Sequence, residues 1–308
     1  MTGYSLQEGI PEGFAFDFDA GIFFDPKHLQ LQSVTGWHSF VMLHHEQRII
    51  SALLHVYVEK EKAISPLRSP YGSFIFSENA PHIQLSEFIR YAEKSLAEKG
   101  VQTLLLKNPP EIYNPLLYKM MLESGYLIQL EETSAVMEVN EGKYVDSLNQ
   151  SKKSLLKKGH DNQLHLQQLS FDQLSEVFDF LNKCYTEKGY ALSMTFEEVQ
   201  KVMRLFPKSF FLHGVLREEK MVAACISIRV KQTILYTFYY NHLKEYDFMS
   251  PIVFLIEGLY QFCQVENIQL LDLGTSNKGD QINESLLNFK LSLGAKRSRK
   301  ITFVKNLS

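Results

Sequence analysis

The sequence predicts a mixed α/β fold assembled from two tandem, duplicated halves, each a mixed, mainly antiparallel sheet flanked by helices. Three observations carry this expectation. Extended apolar runs rich in β-branched residues alternate with segments of helical period along the 308 residues. The order of those segments in the first half recurs in the second. One stretch, IQLLDLGTSNKGDQINESLLNFKLSLGAKR from Ile268 to Arg297, reads as a buried parallel strand, a polar exit and a helix closing on a glycine.

The repeat is visible when SFVMLHHEQRIISALLHVYVEKEKAISPLRSP, from Ser39, is set against FFLHGVLREEKMVAACISIRVKQTILYTFYYN, from Phe210. In each, an extended apolar run reaches a charged turn, Glu46-Gln47-Arg48 or Glu218-Glu219-Lys220. A strand follows, Ile49 to Val58 or Met221 to Val230, then a basic turn and a third strand. This pattern is a three-stranded antiparallel meander. An amphipathic helix comes next. In the first half Leu85, Phe88, Ile89, Ala92 and Leu96 share its face and Gly100 ends it. In the second, Ser250 as N-cap and Pro251 at the first helical position open a helix whose face is Ile252, Leu255, Ile256, Leu259 and Phe262. Short apolar strands follow, Val101 to Leu106 and Ile268 to Leu273. A second helix then carries Leu116-Leu117 and ends at Gly125, or carries Leu286-Leu287 and ends at Gly294. From strand start to closing glycine the halves measure 24 and 26 residues. Such agreement reads as duplication. The polar segment EVNEGK sets the boundary near Asn140 to Lys143, giving expected domains 1–142 and 143–308.

Composition narrows the function classes. A hydrophobic content of 45% suffices for two cores. The N-terminal MTGYSLQEGIPEGF lacks the basic start and apolar core of a signal peptide, and no apolar run approaches the roughly 18 residues of a membrane span, so a soluble cytoplasmic protein is expected. Cys184, Cys225 and Cys263 are odd in number and widely spaced in apolar surroundings, which reads as core thiols rather than a disulfide framework or a metal site. A net charge of -3 argues against broad adhesion to nucleic acid or acidic membrane. One local exception is SKKSLLKKGHDN, where Lys152, Lys153, Lys157 and Lys158 gather on a broad side of a helix; it reads either as a solvated face or as a contact for phosphate or RNA.

The chemistry-bearing residues collect after the strand at Ile268. Asp272, Gly274, Thr275 and Ser276 put a carboxylate, two hydroxyls and a permissive backbone at a strand's carboxyl end, the usual ligand position in open α/β sheets. The same residues also suit an ordinary turn. On the strand LYTFYYN, alternation puts Tyr236 and Tyr240 on one face and Tyr239 on the other. There is no Gly-x-Ser-x-Gly elbow, phosphate loop or His-Glu-x-x-His motif, and His44-His45 point to opposite faces of a strand.

The element order within each half resembles the GNAT N-acyltransferase fold, and the tandem arrangement resembles the Fem-type peptidyltransferase family. The matching pieces are YTEKGYALSMTFEEV (185 to 199), similar to the family's Thr-x-x-Arg-x-Gly-Phe segment; LYTFYYN (235 to 241); and DLGTSN followed by NFKLSLGA. The resemblance implies an N-acyl or aminoacyl transferase acting on an amine, with no tightly bound cofactor and with either aminoacyl-tRNA or acyl-CoA as donor. It places Lys290, in its Phe-Lys-x-x-x-Gly context, in the acyl-transfer cleft. Lys290, Asp272 and Tyr239 are then the expected catalytic residues, for charge stabilisation, amine orientation and proton relay. Tyr236, Tyr240, Gly274, Thr275, Ser276, Asn277, Asn283, Lys188 and Tyr190 are expected to bind donor or acceptor. In the first half, Arg68 and Tyr71 lie in a polar turn where a family member would receive substrate. That half lacks counterparts of Asp272 and Lys290 and reads as a degenerate repeat.

Two departures from the pattern bear on the donor. Neither half has the Arg/Gln-x-x-Gly-x-Gly/Ala loop whose backbone N–H groups cradle a pyrophosphate; the corresponding segments are HLKEYDFMSP and SPYGSFIFSENAP. Lys188 stands where the family more often has Arg, which replaces a forked contact by a point charge. Three readings therefore stay open: an aminoacyl-tRNA-dependent transferase, an acyl-CoA N-acetyltransferase, and a noncatalytic binding or scaffolding protein. No sustained heptad pattern for a coiled-coil arm is present.

Overall fold

The computed structural model describes residues 3–307 and divides into two compact units, one of Met1–Thr133 with Ser298–Ser308, the other of Ser134–Arg297. Both are mixed α/β, with helices flanking a largely antiparallel sheet.

The first unit contains β1 (Tyr4–Glu8), β2 (Ala15–Phe16), α1 (Pro26–Gln32), β3 (Trp37–His44), β4 (Ile49–Glu59), β5 (Lys62–Ser65), β6 (Phe74–Phe76), α2 (His82–Glu98), β7 (Thr103–Lys107), α3 (Pro115–Glu123) and most of β8 (Leu127–Glu138). The second contains α4 (Gln150–Asp161), β9 (Leu164–Leu169), α5 (Leu174–Glu187), α6 (Phe196–Leu205), β10 (Phe210–Arg217), β11 (Lys220–Lys231), β12 (Ile234–His242), α7 (Pro251–Val265), β13 (Leu270–Thr275), the short hairpin β14 (Asn277–Lys278) and β15 (Gln281–Ile282), and α8 (Glu284–Ser292). The chain ends in β16 (Lys296–Asn306).

In the first unit the strands run β1-β3-β4-β5-β7-β16, with β2 and β6 on β4. α2 buries the five residues expected from its period, Leu85, Phe88, Ile89, Ala92 and Leu96, against β3 and β4. The last strand of the chain completes this sheet: β16 pairs antiparallel with β7, from Thr302↔Lys107 to Asn306↔Thr103. Ile301 and Phe303, fully buried, join the core there, each contributing roughly 1.5–3 kcal/mol. The division expected after residue 142 is therefore shifted. Residues 134–138 of β8 pair with β13 and belong to the second unit, whereas Ser298–Ser308 belongs to the first. Strand pairing, a nonlocal choice, overrides the polar punctuation of the sequence.

The second unit runs β8-β13-β12-β11-β10-β9. β13 is parallel to β12, as its unbroken apolar pattern suggests, and antiparallel to β8 on its other side. α7 starts at Pro251, but Ser250 makes no side-chain cap and sits in the left-handed region at φ 56°. This corrects the expectation of a serine cap; the preceding turn forces the backbone, and the proline sets the helix start. α7 is buried nearly all round. At Gly258 an added Cβ would lie 2.6 Å from Leu166 Cδ2 on β9. Gly258→Ala, which in an open helix gains about 1 kcal/mol, should here lose about 1–3 kcal/mol through overpacking, read from the shift of the urea midpoint at unchanged slope.

Candidate functional site

β12 and β13 pair only over Ile234–Tyr236 against Leu270–Asp272 and then separate. Two irregularities drive them apart. On β12 the register against β11 slips between Ile226 and Ser227, leaving Phe238 as an extra residue, and on β13 the register against β8 slips between Asp272 and Thr275, around Gly274 at φ 77°. β-Bulges bend strands and increase their twist. Gly274 suits its place because a side chain at positive φ costs about 1–2 kcal/mol. The opening between the strands holds a cavity of about 1030 Å³, at the upper end of the range for small-molecule sites.

The sequence-derived residues divide cleanly. Lys290, Tyr236, Tyr240, Gly274, Thr275, Asn277, Asn283, Lys188 and Tyr190 line this cavity. Asp272 and Ser276 are buried beside it without lining it. The Asp272 carboxylate accepts the Gly274 N–H at 2.7 Å, so it holds the bulge rather than facing ligand. Tyr239 does not line the cavity: the extra residue Phe238 reverses the expected alternation, so Tyr239, opposite Ile226, shares a sheet face with Tyr236, opposite Ile228, while Tyr240, opposite Cys225, takes the other. The Tyr239 hydroxyl is bonded to Ser193 Oγ at 2.6 Å and takes the Met194 N–H at 3.0 Å. The expected proton relay at Tyr239 is thus replaced by a tie between β12 and the loop before α6. Arg68 and Tyr71 belong to the first unit. The Arg68 N–H donates to Gln32 Oε1 at 2.7 Å, and Tyr71 is buried edge-on between Phe23 and Tyr113.

Lys290 is 3% exposed, on the inner face of α8 beside Leu287. Its ammonium donates to the Gly274 carbonyl at 3.0 Å and the Thr275 carbonyl at 2.8 Å, the two peptide groups that the bulge turns out of the sheet. Burial pushes its pKa down to about 8, and the Asp272 carboxylate opposes that fall. Near neutral pH it is a desolvated cation with one N–H beyond those two carbonyls. The helix bearing it does not open at the DLGTS turn. The β14–β15 hairpin intervenes, and α8 is capped by Asn283, whose Oδ1 accepts the Leu286 N–H at 3.0 Å.

The other wall comes from the end of α5 and from β12. α5 closes with Gly189 at φ 75° and the Tyr190 N–H donating to the Tyr185 carbonyl at 3.0 Å, a Schellman-type ending. This fixes Lys188, which donates to Asn241 Oδ1 at 2.6 Å. His242 donates through Nε2 to the Asp247 carboxylate, and both line the cavity. Burial lowers the His242 pKa, the Asp247 hydrogen bond opposes that shift, and Lys188 adds to it. Two of the lining phenols, Tyr185 and Tyr240, are held protonated: burial pushes Tyr185 up to about 12 and Tyr240 higher still. Sequence reading missed Asn241, His242, Asp247 and Phe238 as cavity residues. The signal for His242 and Asp247 lies in HLKEYDFMSP, and Phe238 and Asn241 lie in LYTFYYN.

The start of α7 also faces the cavity through Ser250, Pro251, Ile252 and Val253. A pyrophosphate cradle needs free N–H groups there. Pro251 has none, and the Val253 and Phe254 N–H groups both donate to the Ser250 carbonyl, at 3.0 and 3.2 Å. The Asp247 carboxylate, in the 3-10 turn just before, lines the same wall. This helix start lacks the run of free N–H groups that a diphosphate cradle needs.

No protein-family model matches the sequence, and no curated protein matches it. Solved structures match its fold. A crystal structure of FemX superposes with a TM-score of 0.69 at 11% identity, covering 91% of both chains. L-PGS from Bacillus licheniformis gives 0.54 at 11% identity over 92% of both chains. The C-terminal domain of a putative lysylphosphatidylglycerol synthetase from Agrobacterium fabrum gives 0.55 at 11% identity, over 87% of this chain and 84% of that one. The chain shares its fold with FemX.

Proposed function

We propose that the second unit transfers an aminoacyl group from charged tRNA to an amine. The observation that carries this reading is Lys290, a buried lysine on the wall of the cavity where β12 and β13 part. The attacking amine forms a bond to the ester carbonyl carbon, and the carbonyl oxygen becomes an oxyanion. Collapse breaks the bond to the ribose oxygen, which leaves as a hydroxyl with a proton released from the amine. The remaining Lys290 N–H stabilises the oxyanion, an interaction stronger in the transition state than in the ground state. Tyr236 and Tyr240 line the cavity beside the same ligand, and Lys188 and Lys278 neutralise phosphate. The misfit of α7 to a diphosphate supports an ester donor over acyl-CoA. In this reading the two halves arose by duplication, and the first is the degenerate copy.

The test incubates the purified protein with bulk tRNA charged with radiolabelled amino acids and an amine-bearing peptide, beside a parallel reaction with labelled acetyl-CoA. Alkali-stable label on the peptide from tRNA alone is the expected result. Label from acetyl-CoA alone would replace the donor, and label from neither would select a noncatalytic binding protein.

A further inference from the structure

The lysine-rich helix α4 is not explained by folding. Lys152 and Lys153 occupy its first turn, where no acidic residue is present. Cations at a helix N-terminus oppose the macrodipole, by about 0.3–1 kcal/mol each. Lys157 and Lys158 follow one turn on and are exposed. None of the four has a carboxylate partner among the described residues. A protein of net charge -3 thus keeps, among the described residues, four lysines without a carboxylate partner within seven positions.

α4 borders the cavity. Leu155 lines it, and the Lys152 ammonium lies 4.8 Å from the ring centroid of Phe289, another lining residue. The cavity itself carries Lys188, Lys278 and Lys290 against the single carboxylate of Asp247. Two exposed aromatic rings accompany this positive tract: Tyr190, 48% exposed at the cavity, and Phe248, 59% exposed on the 3-10 turn packed against α4. Cations along a backbone track with aromatic rings beside them are the footprint of single-stranded nucleic acid.

We infer that α4 is the docking face for the RNA of the donor, its lysines neutralising backbone phosphates while the terminal nucleotide enters the cavity. This rests on the aminoacyl-tRNA reading given above. An anionic membrane is the competing polyanion, but a helix that lies on lipid presents apolar side chains outward. The leucines of α4, Leu155 and Leu156, are half-buried and buried, and its exposed positions are polar.

The experiment measures fluorescence anisotropy of a labelled RNA hairpin with a single-stranded 3′ end against salt concentration, for the wild type and for Lys153→Gln/Lys157→Gln/Lys158→Gln. Each lost phosphate contact removes roughly 0.7–0.9 from the slope of log K against log salt, so the triple variant should flatten it by about 2–3 and weaken binding at least about tenfold at low salt. Its melting midpoint should change little, because a first-turn cation that opposes the helix dipole and a last-turn cation that suits it are removed together. Equal RNA binding by variant and wild type overturns the inference and leaves the transferase reading standing. A wild type that binds no RNA overturns both. Binding to phosphatidylglycerol vesicles that the triple variant loses, with RNA binding retained, reassigns α4 to a membrane.

Discussion

Lys290→Met lowers the rate of aminoacyl transfer about 10²–10³-fold, the usual consequence of removing one oxyanion donor, while the protein stays folded. The two effects separate for a physical reason. Methionine fills a similar volume and relieves the burial of an ammonium whose pKa has fallen from 10.5 to about 8, a penalty of roughly 3 kcal/mol at neutral pH. It forfeits the bonds to the Gly274 and Thr275 carbonyls, worth about 1–3 kcal/mol each. These contributions largely offset, so the melting midpoint should move by only about 5 °C. The pH profile identifies the role. As an ammonium donor Lys290 acts below about 8, so the rate falls as pH rises through that value, and the limb disappears in the Met variant. A rate that instead climbs through about 8 would make Lys290 a base for the acceptor amine. Stability carries the same signature: between about 8 and 10.5 the unfolded lysine holds a proton that the folded one has lost, so wild-type stability rises with pH across that window.

Acidification between pH 6.5 and about 4 destabilises the protein through three buried imidazoles. Burial pushes His28, His55 and His213 each down to about 4. The unfolded chain therefore takes up protons first as pH falls, and stability that is intact above 6.5 is lost towards 4, at about 3 kcal/mol per residue. His213 offers the clean test. It is 1% exposed, neither ring nitrogen has a hydrogen-bond partner among the described residues, and its ring lies 4.9 Å from that of Phe262. His213→Phe keeps that aromatic contact and removes the proton site. Denaturant unfolding at pH 7 and pH 4.5 should show a smaller loss in the variant than in the wild type. An identical loss would mean that His213 does not titrate on unfolding.

Periodicity and punctuation are local properties, and they specified much of this protein. The buried stripe of α2, the proline start of α7, the meander β10–β11–β12 and the parallel pairing of β13 with β12 follow from spacing alone, because 3.6-residue and two-residue repeats state which side chains must leave water. So do the three buried thiols. The motifs around Lys290, Tyr236, Tyr240 and Lys188 named residues that share one cavity. Only the tertiary structure decided the rest. The return of β16 to the first unit is a pairing between residues far apart in sequence, and no local signal encodes it. The bulges that part β12 from β13 depend on register against neighbouring strands, and that register turned Asp272 onto the Gly274 N–H and brought Tyr239 to the face of Tyr236, against the alternation expected from sequence. The His242–Asp247 pair and the closed start of α7 likewise exist only once the turn between β12 and α7 has folded, because burial and proximity, which set charge and pKa, are properties of the packed chain.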